Sequence, residues 1–265
     1  MSGKRSGNKT KKLNSLTHHL AARLGRTVIR HLSDLARESL KQPGNWRCLE
    51  IVYQNKPRTL LDRFSLSSRS ARGARSRLRI LQEEICKCIE QFSRINNPIR
   101  LISFGSGPGH EVLGCIERLR DSMVVNASCV DRDSSALECG RSLAIQKQLS
   151  DRIQYVQGNI LRMSSGIAEY DIGILSGLID YFDFETAVSV LKTVREQLLP
   201  GGTIFVANMR RHYLASTMSI LGNWDLVYRE PEELEKILRE SKYERIKVWL
   251  EPEEVFCIGK ARRPS

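Results

Sequence analysis

The sequence contains no apolar run approaching the ~20 residues that a bilayer-spanning helix needs, and its polar, basic start, MSGKRSGNKTKK, is followed by no apolar signal-peptide core. A membrane anchor is therefore not expected, and a soluble cytoplasmic protein is. Paired cysteines are also missing. The seven thiols, at 48, 86, 88, 115, 129, 139 and 257, form no C-x-x-C set, and the C-x-C of Cys86 and Cys88 lies in a helical pattern. Neither a disulfide framework nor a metal site is expected, and the thiols are read as mostly buried. Aromatic residues make up only 6% of the chain, and none interleave with basic residues as a stacking platform for nucleic-acid bases would. No internal repeat is visible.

What remains is a chain of 265 residues, 41% hydrophobic and 27% charged, enough for one α/β domain plus an added segment. The formal charge of +12 suggests nucleic acid until it is located along the chain. Residues 1–98 hold 21 Lys and Arg against 7 Asp and Glu, a charge of +14, whereas residues 99–265 carry −2. The basic N-terminal segment could hold a phosphate backbone, an acidic carrier or an anionic substrate, or be a solvated helical surface. Oligomeric state is not legible.

Residues 1–12, rich in Lys, Ser and Gly, read as a disordered basic tail. Residues 13–98 read as a helical segment. Leu16, Leu20, Leu24, Val28, Leu32, Leu35 and Leu40 give Leu13 to Leu40 an amphipathic helical pattern that Pro43-Gly44 ends, and a second helix is expected from about Arg69 to Phe92. These helices are expected to pack over or beside the mouth of the following domain, and the stretch from Trp46 to Phe64 is left unassigned. From residue 99 to 265, strands at Arg100–Phe104, Val124–Val130, Ile153–Val156, Ile172–Leu175 and Thr203–Ala207 alternate with helices at Gly109–Arg120, Ser134–Leu149 and Glu185–Leu199. Pro200-Gly201-Gly202 precedes the fifth strand. Further helices near Tyr213–Leu221 and Glu232–Ser241 precede strands at Arg245–Leu250 and Glu254–Gly259, the pair expected as an antiparallel edge. The fold class is α/β: a Rossmann-like, seven-stranded, mostly parallel sheet with an N-terminal helical extension.

Gly105-Ser106-Gly107-Pro108-Gly109 stands directly after an apolar strand and directly before a helix. Glycines are needed there because the chain turns sharply and its backbone must approach a ligand at the helix N-terminus. A dinucleotide site would place its third glycine one residue later, where His110 stands, so the G-x-G-x-G spacing favours S-adenosyl-L-methionine over NAD. A plain tight turn would use the same residues. Asp131, at the end of the second strand, can accept both ribose hydroxyls, and Asp133 and Ser134 are better placed than it to cap the next helix. Asn159 and Ile160, after the third strand, stand where an amide could bond an adenine amino group, and Ser106, Arg132 and Ser176 complete the candidate cofactor set.

These motifs resemble the class I methyltransferase family, and more narrowly the bacterial branch that makes 3-hydroxy fatty acid methyl esters as extracellular signals. The resemblance covers about residues 72–262: Arg75-Ser76-Arg77, Gly107-Pro108 with Glu111, Val130-Asp131-Arg132-Asp133, Gly177-Leu178-Ile179-Asp180-Tyr181, Pro200-Gly201-Gly202, Asn208, and Trp224 through Tyr228-Arg229 with Pro231-Glu232-Glu233-Leu234. It implies a small-molecule acceptor oxygen, a carboxylate among the options. Ser106 replaces the usual cysteine and Ile179 the usual phenylalanine, the latter bearing on the acceptor pocket.

Methyl transfer from a sulfonium asks the protein for alignment and exclusion of water. A carboxylate acceptor is already ionised and needs cations such as Arg75, Arg77 or Arg229, whereas a hydroxyl wants a base such as Asp180, His110 or His212. The candidate catalytic set is Asp180, Tyr181, Asn208, Tyr228 and Arg229. A nucleic-acid methyltransferase using residues 1–98 is the competing reading; against it, the fourth strand lacks the Asp/Asn-Pro-Pro-aromatic sequence of enzymes acting on exocyclic amines, and the Pro-Cys of cytosine C5 chemistry is absent. A non-catalytic S-adenosylmethionine-binding protein is the third.

Overall fold

Near-continuous apolar strands, such as Ile99–Phe104 and Tyr170–Ser176, call for burial on both faces, and a parallel sheet covered by helices provides it. The structure, a computed structural model, describes residues 33–42, 44–93, 98–163, 169–211 and 226–265. The expected tail, most of the Leu13–Leu40 helix, the helical stretch at 213–221, His212 and Trp224 lie outside the described residues. No described helix is long and apolar enough to cross a membrane.

The described residues fall into two compact units, the chain passing from the first to the second after Ser68. The first holds three short helices, α1 (Asp34–Lys41), α2 (Trp46–Gln54) and α3 (Leu60–Leu66), the last two occupying the stretch left unassigned. Each has a side-chain cap, from Ser33, Asn45 and Thr59. Buried Asp62 ties α3 to α1, accepting from Ser33 Oγ at 2.7 Å and the Asp34 N–H at 3.0 Å.

The second unit contains α4 (Arg69–Phe92), β1 (Ile99–Phe104), α5 (His110–Leu119), β2 (Val125–Asp131), α6 (Ser134–Gln146), β3 (Ile153–Gln157), β4 (Tyr170–Ser176), α7 (Phe184–Gln197), β5 (Leu198–Met209), α8 (Pro231–Glu240), β6 (Glu244–Leu250) and β7 (Phe256–Arg262). The strands form one seven-stranded sheet in the order β3-β2-β1-β4-β5-β7-β6, parallel except for β7, which runs antiparallel to both neighbours. Alternate residues feed opposite cores. Leu101, Ile174, Phe205 and Ile258 face α4, α5 and α6, whereas Ile102, Leu175, Val206 and Cys257 face α7 and α8. All seven cysteines are free thiols, and only Cys139 is not buried.

Two local expectations are corrected. The fifth strand, expected at Thr203–Ala207, is longer: β5 starts at Leu198, and its pairing with β4 slips between Tyr170 and Ile172, so Pro200-Gly201-Gly202, with Gly201 at φ 75°, forms an irregularity within the strand. The last strand begins at Phe256 instead of Glu254, because buried Glu251 accepts the N–H groups of Glu253, Val255 and Phe256 and holds the chain in a turn there.

Candidate active site

The strand order reverses between β1 and β4, and the crevice outside their carboxyl ends is where such sheets bind ligands. The glycine loop leaves β1 into it. Gly105, Gly107 and Gly109 have φ of 59°, 55° and 82°, a left-handed backbone that side chains disfavour. A Cβ on Gly105 would lie 2.9 Å from Leu178 Cδ1, and one on Gly109 2.8 Å from Cys129 Sγ, so space and torsion both demand glycine. Ser106 is buried and pinned to β2 through its N–H to Val130 O at 3.2 Å.

Asp131 closes the loop from β2. Its Oδ2 accepts the Gly107 N–H at 2.7 Å and its Oδ1 the Asp133 N–H at 2.9 Å. Asp133, as expected, caps α6 through the Ser135 N–H. Arg132 accepts from Gln157 Nε2 through its carbonyl. Asn159 caps the short turn at Ile160–Arg162 by accepting the Leu161 N–H, while Ile160 is buried in the α7-side core. At the end of β4, Ser176 Oγ is buried with no hydrogen-bond partner among the described residues.

Composition and spacing did not reveal the support under this loop. Tyr155 Oη donates to Pro108 O at 3.2 Å across α6, where a Cβ on Gly140 would lie 2.3 Å from the Tyr155 ring and 2.6 Å from Pro108 O. The available signal was Gly140 itself, since glycine inside a helix needs a packing reason. Gln82 Nε2, from α4, donates to His110 O at 2.9 Å and fastens the long helix to the start of α5.

The carboxyl ends of β4 and β5 carry a second, buried network. Asp180 Oδ1 accepts the Met209 N–H at 2.7 Å, and its backbone carbonyl accepts the Val227 N–H at 2.7 Å. Burial pushes its carboxyl up to about 6, against the opposing pull of the Met209 N–H, Arg77 and Arg229. Buried Arg77 enters from α4 with its guanidinium 4.6 Å from the Phe256 ring. A Cβ on Gly177, φ 77°, would meet Arg77 Nη1 at 3.2 Å and Asp180 Oδ2 at 3.6 Å. Arg229 has a fully buried side chain that donates to Ile179 O at 2.8 Å, Asn208 Oδ1 at 2.7 Å and Phe182 O. Asn208 in turn donates to Met209 O and Val227 O.

Asp180, Asn208 and Arg229 thus stand in one network, with Arg77 beside it. Tyr181 instead turns outward, 48% exposed, and half-buried Tyr228 has the Arg211 guanidinium 5.9 Å from its ring. Ile179 is wholly buried. Half-buried Arg75 follows α4 two residues before Arg77, its pKa lowered by burial and by Arg72.

Over residues 20–263 the sequence matches the family described as "Putative methyltransferase". The chain belongs to this methyltransferase family. No curated protein sequence matches it. Among solved structures, a "possible exported protein" of Bordetella parapertussis superposes with TM-score 0.74 at 17% identity, over 88% of this chain and 84% of that one. The S-adenosylmethionine-dependent methyltransferase SibL gives TM-score 0.54 at 18% identity, over 67% of this chain and 57% of SibL, so the chain spans less than two thirds of SibL's length. Geranyl diphosphate C-methyltransferase from Streptomyces coelicolor A3(2) gives TM-score 0.54 at 10% identity, over 68% and 76%.

The residues of the crevice fit S-adenosylmethionine as the methyl donor. A carboxylate offers about four lone-pair positions, and Asp131 uses one on each oxygen for the loop, leaving capacity for two ribose hydroxyls. The left-handed glycines keep the loop clear of side chains, and the orphaned Ser176 oxygen awaits a donor in the same crevice. When bound, the cofactor supplies an electrophilic methyl group on a sulfonium that leaves as a neutral thioether. The protein's part would be alignment: Asp131 and the glycine loop would hold the nucleoside end, and the Asp180–Asn208–Arg229 network ties the ends of β4 and β5 together.

Proposed function

We propose that this methyltransferase acts on an oxygen of a small molecule, and that the oxygen belongs to a carboxylate. The observation that carries this reading is the condition of Asp180. It is the acid at the crevice end of β4, yet it is 4% exposed and committed to the Met209 N–H. With a pKa of about 6 it is an anion at neutral pH. Its burial and its hydrogen bond to the Met209 N–H, not its acidity, make it a brace for the loops and keep it from reaching an acceptor hydroxyl in the crevice. A carboxylic acid, with pKa near ~4, arrives ionised and needs no base.

Two features support an acid with an apolar body. Leu161 and Tyr181, 54% and 48% exposed, stand just past the carboxyl ends of β3 and β4. The motifs from Gly177 to Leu234 resemble those of enzymes making methyl esters of 3-hydroxy fatty acids.

The test exploits ester chemistry. Protein, methyl-labelled S-adenosylmethionine and, separately, 3-hydroxy fatty acids, phenols and RNA are incubated, and the products are treated with mild alkali. Label transferred to the acid and released as methanol is the expected result. Alkali-stable label, as an ether, N-methyl or C-methyl product, or transfer to RNA alone, would refute the carboxylate assignment.

A further inference from the structure

A second groove lies on the face of the sheet that α4 covers, beside the edge strand β6 and away from the glycine loop. Its position follows from register: β7 runs antiparallel to β5, so Arg262 pairs with Thr203 at the amino end of β5, whereas the crevice is at the carboxyl end, where Phe256 pairs with Met209. The groove encloses about 470 Å³, within the roughly 300–1,000 Å³ of small-molecule sites. Ile80, Phe92 and Trp249 give it an apolar wall, and Arg245, Lys247, Lys260 and Arg262 a cationic one.

Lys247 and Trp249 alternate onto one face of β6 and Lys260 and Arg262 onto the same face of β7, while Arg245 lines the groove from the irregularity between Glu244 and Lys247. Lys247 and Lys260 are direct cross-strand partners, and like charges in that relation are destabilising unless something neutralises them. Glu84, the one carboxylate lining the groove, cannot do so alone. It stands 3.7 Å from Lys260 Nζ but also 2.7 Å from Lys87 Nζ. Exposed Arg245 and Lys247 have no acidic partner among the described residues. Arg245 also takes φ 51°, where the β6–β7 pairing slips between Glu244 and Lys247. Left-handed backbone at a non-glycine residue and a bulge are costs that cluster at functional sites.

We propose that this groove binds a phosphorylated ligand with an apolar or aromatic body, of the nucleoside diphosphate class, independently of the methyl-transfer crevice. Four cations against one shared carboxylate call for more than a single negative charge. Arg262 is already oriented, its Nε donating to Gly201 O at 3.1 Å and its guanidinium 5.9 Å from the Phe92 ring. Trp249 and Phe92 offer the surface for the body of the ligand.

The test titrates the full-length protein, saturated with S-adenosylhomocysteine to fill the crevice, with ADP, pyrophosphate and decanoate while following tryptophan fluorescence. Trp249→Phe identifies the reporting residue. ADP should change the Trp249 signal saturably, and pyrophosphate should bind more weakly because it lacks the body. Arg245→Glu with Lys247→Glu, both on exposed positions of the edge strand, should weaken ADP at least about tenfold and leave S-adenosylhomocysteine affinity unchanged. The proposal is overturned if ADP does not bind saturably, if it is displaced by S-adenosylhomocysteine, if the double variant binds it as well as wild type, or if decanoate binds in preference.

Discussion

Replacing Arg229 with methionine keeps much of the side-chain volume and removes the guanidinium from a site of zero side-chain exposure. Ile179 O, Phe182 O and Asn208 Oδ1 then each lose this donor. Single hydrogen bonds to a charged group contribute about 1.5–3 kcal/mol, but three that share one side chain are not additive. Breaking a buried charged cluster from one side costs about 3–5 kcal/mol, and that is the expected loss, a large part of the roughly 5–15 kcal/mol that keeps a domain folded. Urea unfolding measures it as a lower midpoint at an unchanged slope. Arg229→Lys restores the charge without the planar fork and should recover only part of the loss. A cost below about 1 kcal/mol for Arg229→Met, or a lysine variant as stable as wild type, would refute the claim that this arginine clamps the ends of β4 and β5.

Asp180 makes the pH dependence opposite in sign to that of an ordinary paired carboxylate. Its folded pKa, about 6, lies above the usual 3.8, so between those values the folded state holds the extra proton and this group's contribution to stability falls as pH rises from about 4 to about 6. Stability measured against pH for wild type and Asp180→Asn should differ in slope across that window, and parallel curves would refute the shift. Asp131→Ala should weaken S-adenosylhomocysteine about tenfold to a hundredfold by calorimetry, from the loss of a charged acceptor. Unchanged affinity would remove Asp131 from the cofactor site.

The glycine loop and the alternation of strands and helices were legible because their signals are local. G-x-G-x-G between an apolar strand and a helix states a torsional requirement, and Gly105, Gly107 and Gly109 meet it with positive φ. The capping role of Asp133 was legible for the same reason. Arg229 was legible as a residue of interest and illegible in its role. An arginine in a sequence reads as exposed or as an anchor for an anion, and its burial here depends on carbonyls at Ile179 and Phe182, brought together with it only by the fold.

The groove shows the same limit in composition. Residues 99–265 carry a net charge of −2, which argued that the basic character of the chain lay wholly before them. Yet net charge averages over a surface, whereas binding responds to the local field. The alternation at residues 247, 249, 260 and 262 was present in the sequence, but two alternating strands converge their cations only in one register. The pairing of Lys247 with Lys260 supplies that register; a slip of one residue would send either strand's cations to the other face. A basic site can therefore sit inside a neutral domain, and the features to search for are like-charged cross-strand pairs.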